Sequence, residues 1–581
     1  MPPSIIPPIT PAEFLQYLQR CIPPTGWPAK IATANSGGPD STALLFLLNA
    51  VITAHNGRPK PVPPKRRPPG IPPPPPGLPE HLVSVHVNHN LQNAASDMER
   101  VATAMALRYK LPFLTERIPW GEHPFPPRSE VDEKVAREAR YCSLFTAMEK
   151  LQTDVIAFAH HADDQVETAI MRMSQGSSAR GLAAMRPVRR WGMGKKDNDY
   201  FAFGAEGMRK WIVRPFLHVS KDRLMATCEA NKLDYIHDPT NFQPDMTFRN
   251  KIRRSLLLMD QSSLSEPASP EQSAEPSSDI EPYIARLRAE VPDVHPSRQM
   301  HEAVRLYGMR LEETDSRVTN ALAHARLPSP PSTLLLKSNE LAEVTSEEVR
   351  IALIRRCLRY VSHGPWGAVW AEASGGRDTL RRVSEELWPS EPRTPLSEMP
   401  LDPELGTHVD PRKTFAAGGG VLVTPVAIKL DKGQLRYRGR KLDDDSEVDG
   451  WIFTRAPPYR KSACPEEQTI VDVTDGIFAA HAAGQETYRV LYDYRFDITF
   501  RTDIGKWPRD VREHVTRRGR IVIEPDTKWV LPMVMMRGGV RSPQCIGKFL
   551  WDMPGWAGTR RRPVKYQSIM DMKFVRSLDA I

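Results

Sequence analysis

Residues 31–42 read Ile-Ala-Thr-Ala-Asn-Ser-Gly-Gly-Pro-Asp-Ser-Thr, and an apolar run over 43–48 follows them. This order predicts a short buried strand, a tight glycine turn and a helix. Gly37 and Gly38 let the backbone turn sharply and approach a ligand closely. The first amides of the new helix have no intrahelical acceptor, so with the helix dipole they form an anion site, most naturally for a phosphate. The alternative is an ordinary strand-to-helix turn.

The hexapeptide over 36–41 narrows the kind of phosphate loop. It lacks the lysine and the spacing of the Walker-type loop. It is similar to Ser-Gly-Gly-x-Asp-Ser, the pyrophosphate loop of enzymes that cleave ATP between the α and β phosphates. We therefore predict an ATP-binding set of residues, which are Ser36, Gly37, Gly38, Pro39, Asp40 and Ser41.

Composition restricts the class of protein. A chain of 581 residues should hold several domains, and its formal charge of +9 permits a nucleic-acid partner without requiring one. The six cysteines are scattered with no Cys-x-x-Cys pair, which argues against a zinc ribbon, a disulfide scaffold or a cysteine-held iron–sulfur cluster and favours a reduced compartment. Because no apolar run reaches membrane-spanning length, we expect no membrane contact.

Apolar strand patterns alternate with helix patterns up to about residue 257. Strands are predicted at 31–34, 82–87 and 155–159, and helices at 94–109, 134–151 and 163–173. This alternation predicts an α/β fold, a parallel sheet with helices on both faces. Ligands in such sheets bind at the carboxyl ends of the strands, where the turns after Ala34 and Ala159 lie.

Domain boundaries follow from shifts in composition. We predict a catalytic domain over 1–257 with a proline-rich insertion at 58–80, a low-complexity linker over 258–284, a mainly helical domain over 285–400 and a mixed α+β region over 401–581. Residues 189–210 are predicted to form a long surface loop. Residues 373–379 resemble the first glycine turn, but we interpret them as a loop whose Asp378 caps a helix.

A second group of polar residues, His-His-Ala-Asp-Asp-Gln-Val-Glu-Thr over 160–168, follows a predicted strand. Asp164 and Glu167 are three residues apart, so a helix places both carboxylates on one face, where a cation relieves their repulsion. Mg²⁺ or the ammonium group of an amine substrate would serve. The alternative is a helix start with acids that favour its dipole. His161 is expected to pack or hydrogen-bond rather than bind a metal.

Two basic stretches could contact phosphates. Arg137 and Arg140 lie one helical turn apart, and either could neutralise a phosphate, although a solvated helix face is the alternative. Residues 248–254 are also basic and either pair with a nucleic-acid backbone or close the domain structurally. A third basic cluster at 560–565 is a candidate phosphate contact, with a solvated tail as the alternative.

Several motifs occur together in one order. They are Ser-Gly-Gly-Pro-Asp-Ser at 36–41, His-Val-Asn-His at 86–89, Ala-Arg to Tyr at 136–141, His-Ala-Asp-Asp-Gln-Val-Glu-Thr at 161–168, Arg-Pro-Phe-Leu at 214–217 and Asp-Pro-Thr-Asn at 238–241 with Arg249-Asn250. In these motifs, over about 31–257, the chain resembles the tRNA(Ile)-lysidine synthetases of the PP-loop ATP pyrophosphatase superfamily. Asn88-His89-Asn90 stands where that family often has Asp-His-Gly.

The resemblance implies an adenine nucleotide α-hydrolase-like fold and a ligase that forms a carbon–nitrogen bond. Its members use ATP to adenylate the wobble cytidine of an isoleucine tRNA with a CAU anticodon, then join free lysine to it and release AMP and pyrophosphate. Mg²⁺ held through Asp40 would assist. The implied catalytic residues are Asp164, Glu167 and Arg137, and the further site candidates are His161, Asp163, Arg140, Asn88 and His89.

Other functions stay open at this stage. A tRNA thiolase shares the glycine loop but usually recruits sulfur through cysteine pairs, and a degenerate tRNA-binding scaffold would need no intact loop. Lysidine serves bacterial-type decoding, so the eukaryote-like insertions favour a mitochondrial location, with the cytoplasm as the alternative. The sequence leaves the oligomeric state open, a homo-oligomer included.

Overall fold

The structure is a computed structural model. It describes residues 6–57, 77–91, 94–177, 179–195, 198–236, 248–262, 279–368, 376–389, 401–402, 407–409, 412–431, 434–438, 441–442, 448–457, 469–538, 543–551, 566 and 569–581. The α-helices within these ranges are α1 Pro11–Gln19, α2 Pro39–Asn56, α3 Ala95–Arg108, α4 Glu133–Lys150, α5 Ala162–Ser174, α6 Ala179–Leu182, α7 Lys221–Ala230, α8 Phe248–Ser262, α9 Glu281–Ala289, α10 Pro296–Ala325, α11 Ser338–Ala342, α12 Glu347–Val361, α13 Arg377–Leu387, α14 Thr474–Ala482 and α15 Arg509–Thr516.

The strands are short and cluster in two parts of the chain. They are β1 Lys30–Ala34, β2 His81–Asn88, β3 Phe113–Arg117, β4 Val155–Ala157, β5 Val188–Arg190, β6 Trp211–Val213, β7 Arg326–Leu327, β8 Leu334–Lys337, β9 Leu401–Asp402, β10 Thr407–Val409, β11 Phe415–Gly418, β12 Val421–Asp431, β13 Gln434–Arg438, β14 Lys441–Leu442, β15 Val448–Arg455, β16 Val471–Asp472, β17 Thr487–Tyr492, β18 Phe496–Arg501, β19 Arg520–Pro525, β20 Pro532–Arg537, β21 Gln544–Lys548 and β22 Met570–Phe574.

The amino-terminal region is built on a six-stranded sheet in the order β3-β2-β1-β4-β6-β5. Strands β1 to β4 and β6 pair in parallel. This arrangement confirms the predicted α/β class. Strand β5 is the exception, because it pairs antiparallel with β6 and closes one edge of the sheet.

Alternate side chains of the strands enter two different cores. Ile31, Val155 and Trp211 pack on the face covered by α1, α2 and α7. Their strand neighbours Ile156 and Ile212 pack on the opposite face, against α4. A strand whose two faces are both buried reads as a continuous apolar run, as 155–157 does. Helices therefore cover both faces, as the sequence predicted.

The order of the strands creates a crevice above β1 and β4. From β1 the chain builds outward through β2 and β3, and it then returns to place β4 on the other side of β1. The loops that leave β1 and β4 consequently run to opposite faces of the sheet. Such a switch point opens a ligand crevice at the carboxyl ends of the two strands. Both predicted site loops begin at this point.

Two local predictions need correction. Residues 189–210 are not only a surface loop, since β5 lies within them and Trp191, Phe203 and Met208 are buried. Their apolar side chains supply surface that the sheet and α4 bury, and the net basic charge of the segment concealed this. Asp378 does not cap α13, because that helix begins at Arg377 with Gly376 as its N-cap.

A helical layer packs directly on α5. Val166 and Ile170 of α5 share a core with Ile252 of α8, Ile284 of α9 and Val304 of α10. Helix α10 is 30 residues long, and its second half leaves this layer to pack with α12 and β8. Helix α10 is thus one element that bridges two cores.

The carboxyl-terminal sheets are antiparallel, and one of them includes strands from before residue 400. Its order is β11-β12-β15-β8-β7, with Leu336 of β8 opposite Trp451 of β15. Three further sheets have the orders β14-β10-β9, β16-β19-β20-β21 and β17-β18-β22. This supports the mixed α+β interpretation, whereas the individual domain boundaries stay predictions.

Several predicted features lie outside the described residues. These are most of the proline-rich insertion, the linker over 263–278, the Asp-Pro-Thr-Asn motif at 238–241, residues 373–375 and the basic cluster at 560–565. The flanks of the insertion lie close together, since Asn56 Nδ2 donates to the Glu80 carbonyl at 2.8 Å. The described cysteines form no disulfide. Among the described helices, none combines the length and the apolar character needed to cross a membrane.

Candidate active site

The glycine loop after β1 is fixed by its own side chains. Asn35 N donates to the Val85 carbonyl at 2.8 Å, and Asn35 Oδ1 accepts the Gly37 amide at 3.1 Å. The Ser41 hydroxyl accepts the Ser36 amide, also at 3.1 Å. Gly37 has φ +80°, and a Cβ there would lie 2.7 Å from the Met98 carbonyl oxygen, so only glycine fits without strain.

Gly38 meets a different requirement from Gly37. It is the N-cap of α2 with extended backbone, and a Cβ there would make only ordinary contacts at 3.5 Å or more. The fold therefore does not need glycine at this position. Pro39 carries no N–H and the Thr42 amide donates to the Gly38 carbonyl at 3.0 Å, so the amides of Asp40 and Ser41 are the two in the first turn of α2 without an intrahelical acceptor. The loop thus has the geometry of an anion site.

Asp40 places a carboxylate at the edge of this loop. Its Oδ1 is buried and has no hydrogen-bond partner among the described residues. Burial raises the pKa of Asp40, although nearby His161 and Lys221 act against the rise. A buried carboxylate oxygen without a donor is a place where a hard cation such as Mg²⁺ would fit. The described residues contain no group of three or more metal-ligating side chains.

His161 connects the glycine loop with the acidic turn after β4. It is the N-cap of α5, and its Nε2 lies 3.7 Å from Asp40 Oδ2 and 3.5 Å from Asp164 Oδ2. Burial alone would lower its pKa, but the charges of Asp164, Asp163 and Asp40 outweigh burial and raise the pKa to about 9. His161 is therefore a cation at neutral pH that holds three carboxylates together.

Asp163 serves the scaffold around this turn. Its Oδ2 accepts the Lys221 amide at the start of α7 at 3.0 Å and lies 3.1 Å from His161 Nδ1. Its Oδ1 lies 3.2 Å from Nε2 of His301 on α10. Burial alone would raise the pKa of Asp163. Its contacts with His161 and His301 outweigh burial, so the pKa lies well below its ordinary value. Asp163 thus joins α5, α7 and α10.

Asp164 and Glu167 form the acidic pair, and both are buried. Asp164 Oδ2 accepts the His161 amide at 3.0 Å, and its Oδ1 accepts Arg249 at 2.8 Å. The Nε atoms of Arg249 and Arg253 donate to the two oxygens of Glu167, each at 2.5 Å. The positive charge that the spacing required is therefore supplied by two guanidinium groups of α8.

These contacts favour a structural role for two residues of the basic run at 248–254. Arg249 and Arg253 are four residues apart on α8, so they lie on one face. Their guanidinium groups pair with the acidic residues of α5 and close the domain, as one alternative held. The matching spacings in α5 and α8 were a signal in the sequence that could have identified this pairing.

Arg137 and Arg140 lie on α4, on the side of the crevice beyond β4. Arg137 is exposed, with its guanidinium carbon 5.8 Å from the centre of the Tyr141 ring. Arg140 is half-buried, 5.9 Å from the centre of the Phe158 ring. Burial lowers the pKa of Arg140, and the neighbouring charges of Arg137 and Arg249 lower it further. Both arginines are placed to meet an anion.

Asn88 and His89 end the strand next to β1, but they contact protein groups. Asn88 Nδ2 donates to Glu99 at 2.7 Å, and the His89 carbonyl accepts the Trp120 indole N–H at 2.7 Å. Closer to the glycine loop is His86, whose Nδ1 lies 2.8 Å from the Asn35 carbonyl oxygen. Sequence reasoning did not give His86, Glu99 or His301 a role, because each acts through a partner distant in the chain.

Comparison with known proteins covers the same part of the chain. Residues 13–259 match the PP-loop domain family. Residues 13–259 form a PP-loop domain. The tRNA(Ile)-lysidine synthase of Bacillus subtilis (strain 168) is 31% identical over 230 residues, which are 39% of this chain and 40% of that protein. The enzyme of the same name from Coxiella burnetii (strain RSA 493 / Nine Mile phase I) is 31% identical over 248 residues, 43% and 44% of the two chains.

The matched region of this chain therefore spans less than half the length of these curated relatives. The predicted resemblance to tRNA(Ile)-lysidine synthetases is confirmed for the PP-loop domain, and a PP-loop domain implies use of ATP. A solved structure, the U34-tRNA thiolase NcsA from Methanococcus maripaludis with its [4Fe-4S] cluster, is 16% identical with a TM-score of 0.31, covering 52% of this chain and 79% of that one.

Proposed function

We propose that this protein is a tRNA(Ile)-lysidine synthetase, a ligase that modifies the wobble cytidine of an isoleucine tRNA with a CAU anticodon. The observation that supports this most strongly is the meeting of two loops at the switch point of a PP-loop domain. Asp40 of the glycine loop and His161 of the acidic turn lie 3.7 Å apart there. The proposed ATP site and the proposed site for an amine would therefore share one crevice.

In the first proposed step, the cytidine carbonyl oxygen bonds to the α-phosphorus of ATP and the bond to pyrophosphate breaks. Negative charge then builds on the leaving pyrophosphate. The amides at the start of α2 face that charge, and donors fixed in advance stabilise a transition state without reorganisation. The side-chain hydrogen bonds that hold 35–41 in place supply this rigidity.

Mg²⁺ would be held by Asp40, whose buried Oδ1 is without a hydrogen-bond donor among the described residues. Mg²⁺ commonly uses one or two carboxylates together with substrate phosphates, so the lack of a larger described ligand group fits. When bound, the ion would neutralise charge on the phosphates. His161 would keep the neighbouring Asp163 and Asp164 in place beside it.

In the second proposed step, the amine of lysine bonds to the activated carbon of cytidine and the bond to AMP breaks. The attacking amine must be neutral, although its ordinary pKa is about 10.4. A carboxylate can orient it and accept its proton, and Glu167 and Asp164 are the candidates. Each oxygen of Glu167 already accepts a guanidinium N–H. An incoming amine therefore takes the place of one of these donors. Arg137 would face the phosphate of the adenylate.

The decisive experiment is nucleoside mass analysis of a CAU-anticodon tRNA after incubation with the protein, ATP, Mg²⁺ and lysine. We expect lysidine in the tRNA and equal amounts of AMP and pyrophosphate. Without lysine, adenylated tRNA should accumulate instead. Sulfur incorporation or release of ADP would overturn the proposal. If neither AMP nor lysidine is formed, the protein is a non-catalytic tRNA-binding scaffold, which would also overturn it. A mitochondrial location stays a further proposal, which cell fractionation checks.

A further inference from the structure

A group of arginines lies beside the candidate active site on the face of the sheet that α4 covers. We call it the arginine face, and it consists of Arg137, Arg140, Arg189 and Arg214. Arg137 and Arg189 are exposed, Arg140 is half-buried and Arg214 is buried. Within the described parts of the chain, none of these four pairs with a carboxylate. Their positive charges are therefore concentrated and not neutralised by a salt bridge.

The fold gathers these arginines from separate parts of the chain. Arg137 and Arg140 are one turn apart on α4, and Arg214 follows β6 directly. Arg189 is in β5 opposite Ile212, between Val188 and Arg190. Because strand side chains alternate, Arg189 shares the face of Ile212 rather than that of Val188. Ile212 belongs to the core against α4, so Arg189 lies on the α4 side.

A row of stacked rings runs through this face toward the acidic turn. Tyr141 and Phe158 have ring centres 5.9 Å apart at 22°, and Phe158 and His160 have centres 5.5 Å apart at 8°. Arg214 Nε lies 3.3 Å from His160 Nδ1. His160 directly precedes His161, so the arginine face and the acidic turn are adjacent parts of one surface.

The pKa of Tyr141 reflects the positive electrostatic potential at this face. Burial alone would raise the pKa of its phenol, but the positive charges of Arg214, Arg137, Arg189 and Arg140 outweigh burial and lower the pKa to about 8. Asp164 on α5 offsets part of this charge, since it acts to raise the pKa of Arg140, but within the described residues its ion pairs with arginine are to Arg249 and Arg253 of α8. The face is thus prepared for an anion from solution.

We infer that the arginine face binds a backbone phosphate of single-stranded RNA next to the nucleotide that reacts, an inference that rests on the proposed function. Guanidinium groups suit phosphate because their planar N–H groups donate in pairs. RNA is read in single-stranded loops whose bases are splayed from the stack. A phosphate held at Arg189 fixes the strand while its base enters the crevice beside His161, and Arg137 remains for the phosphate of the adenylate.

The test measures binding of an RNA hairpin with a CAU-containing loop by fluorescence anisotropy, without ATP or lysine, over a range of salt concentrations. Arg189→Gln should weaken binding about five- to ten-fold and reduce the salt slope by about one. Arg189→Lys should recover part of the affinity, because charge returns without the paired donors. Arg381→Gln, an exposed arginine on α13, is the matched control and should change neither quantity.

Tyr141 gives a second measurement that a structural role alone would not affect. Phenolate absorbance is measured against pH in the wild type and in Tyr141→Phe, and the difference gives the titration of Tyr141. The hairpin should raise the pKa of this titration. Unchanged affinity and slope in Arg189→Gln overturn the inference. The inference is also overturned if inorganic phosphate raises the pKa of Tyr141 and the hairpin does not. That result would indicate a site for free phosphate.

The same experiments separate the inference from the proposed reaction. Hairpin binding that depends on Arg189 in a protein that makes no AMP and no lysidine would retain the RNA contact and reject the reaction. If the protein makes lysidine and Arg189→Gln binds the hairpin as tightly as the wild type, the reaction is retained and the RNA contact is rejected. A wild-type protein that fails to bind the hairpin at low salt also rejects the contact.

Discussion

Gly37 and Gly38 are neighbours in the loop but are constrained by different things. The positive φ and the nearby Met98 carbonyl make Gly37 a requirement of the fold. Gly38 has extended backbone and room for a Cβ, so the fold does not require glycine there, and close approach of a ligand stays our prediction for it. The distinction lets one substitution test the ATP site without disturbing the loop.

We expect Gly38→Val to fold normally and to release no AMP from ATP, because the valine side chain occupies the space through which a phosphate reaches the α2 amides. Gly37→Ala, in contrast, should lower the thermal stability. The measurements are circular dichroism, the melting temperature and the rate of AMP release. Parental AMP release from folded Gly38→Val would show that the anion binds elsewhere.

Asp164 and Glu167 were expected to face a metal or an amine, and their partners are arginines of α8. Those ion pairs orient the two acids without a ligand. The roles of the two carboxylates stay predictions, but the geometry refines them. Glu167 lies deeper on α5 than Asp164 and is not in contact with His161 in the described structure, so it stands apart from Asp40.

We predict that Glu167→Gln still forms adenylated tRNA but joins lysine about a hundred-fold more slowly or worse, because the amide lacks the charge and basicity of the carboxylate. Single-turnover formation of adenylated tRNA and of the lysine adduct should be followed separately. Glu229→Gln, on the exposed side of α7, is the control for charge removal. Equal loss of both steps in Glu167→Gln would place Glu167 in the scaffold.

Secondary structure was predictable where local patterns were strong. Helices α3, α4 and α5 and strands β2 and β4 lie within a few residues of their predicted positions, because amphipathic periods of two and 3.6 residues are properties of the chain itself. The antiparallel edge strand β5 was missed. Its three residues include two arginines, and only pairing with β6 makes a strand of them.

The two loops of the candidate site were predictable from the sequence, but the side chains from other elements that contact these loops were not. Residues 36–41 and 161–167 are contiguous motifs, and the parallel sheet brings their strands together. His86, Arg253 and His301 reach the site from other elements, at distances in sequence that local patterns do not encode. The His301 contact with Asp163 spans 138 residues.

At the level of elements, His301 is the contact through which α10 touches the acidic turn. Asp163 accepts the backbone amide of Lys221 and also contacts His301, so α10 supports the first turns of α5 and α7 together. A hydrogen bond of this kind stabilises by about 1 kcal/mol, a factor of about five in a local opening equilibrium.

We therefore expect His301→Ala to speed amide hydrogen exchange about five-fold at Lys221 and in the first turn of α5, with little change in β1 and β2. His324→Ala is the matched control, because His324 lies on the same helix. Within the described residues its hydrogen bond is to the Asn320 carbonyl, one turn earlier on α10. Hydrogen-exchange mass spectrometry measures both. An identical response of the two variants would show that α10 does not support the turn through His301.

For the whole molecule, buried arginines tie the carboxyl-terminal region together. Arg495 is fully buried and donates to Asp493 at 2.7 Å, to Ser332 at 2.6 Å and to the Val530 carbonyl at 2.7 Å. Arg576 donates to the carbonyls of Tyr494 and Arg359. Turns that are far apart in the chain thus share one network of charge. Histidine 363 lies beside it and is the group in this network most sensitive to acid.

Protonation of His363 is opposed by its surroundings. Burial, together with the charges of Arg455, Arg495 and Arg576, lowers its pKa to about 4, and Asp493 only partly compensates. In the unfolded chain the pKa is about 6.5. The folded form therefore has full stability from this group above pH 6.5 and loses it as the pH falls toward 4, because the unfolded state takes up the proton first.

We expect the wild type to lose up to about 2 kcal/mol of unfolding free energy from His363 between pH 8 and pH 5. In His363→Asn the position carries no titratable group, so the decline of the melting temperature across that range should be shallower than in the wild type. The comparison of slopes cancels any constant loss of packing in the variant. His481→Asn, an exposed histidine on α14, should keep the wild-type slope. Parallel pH profiles for the wild type and His363→Asn would show that the buried arginine network tolerates a proton on His363 and is more open to solvent than its contacts indicate.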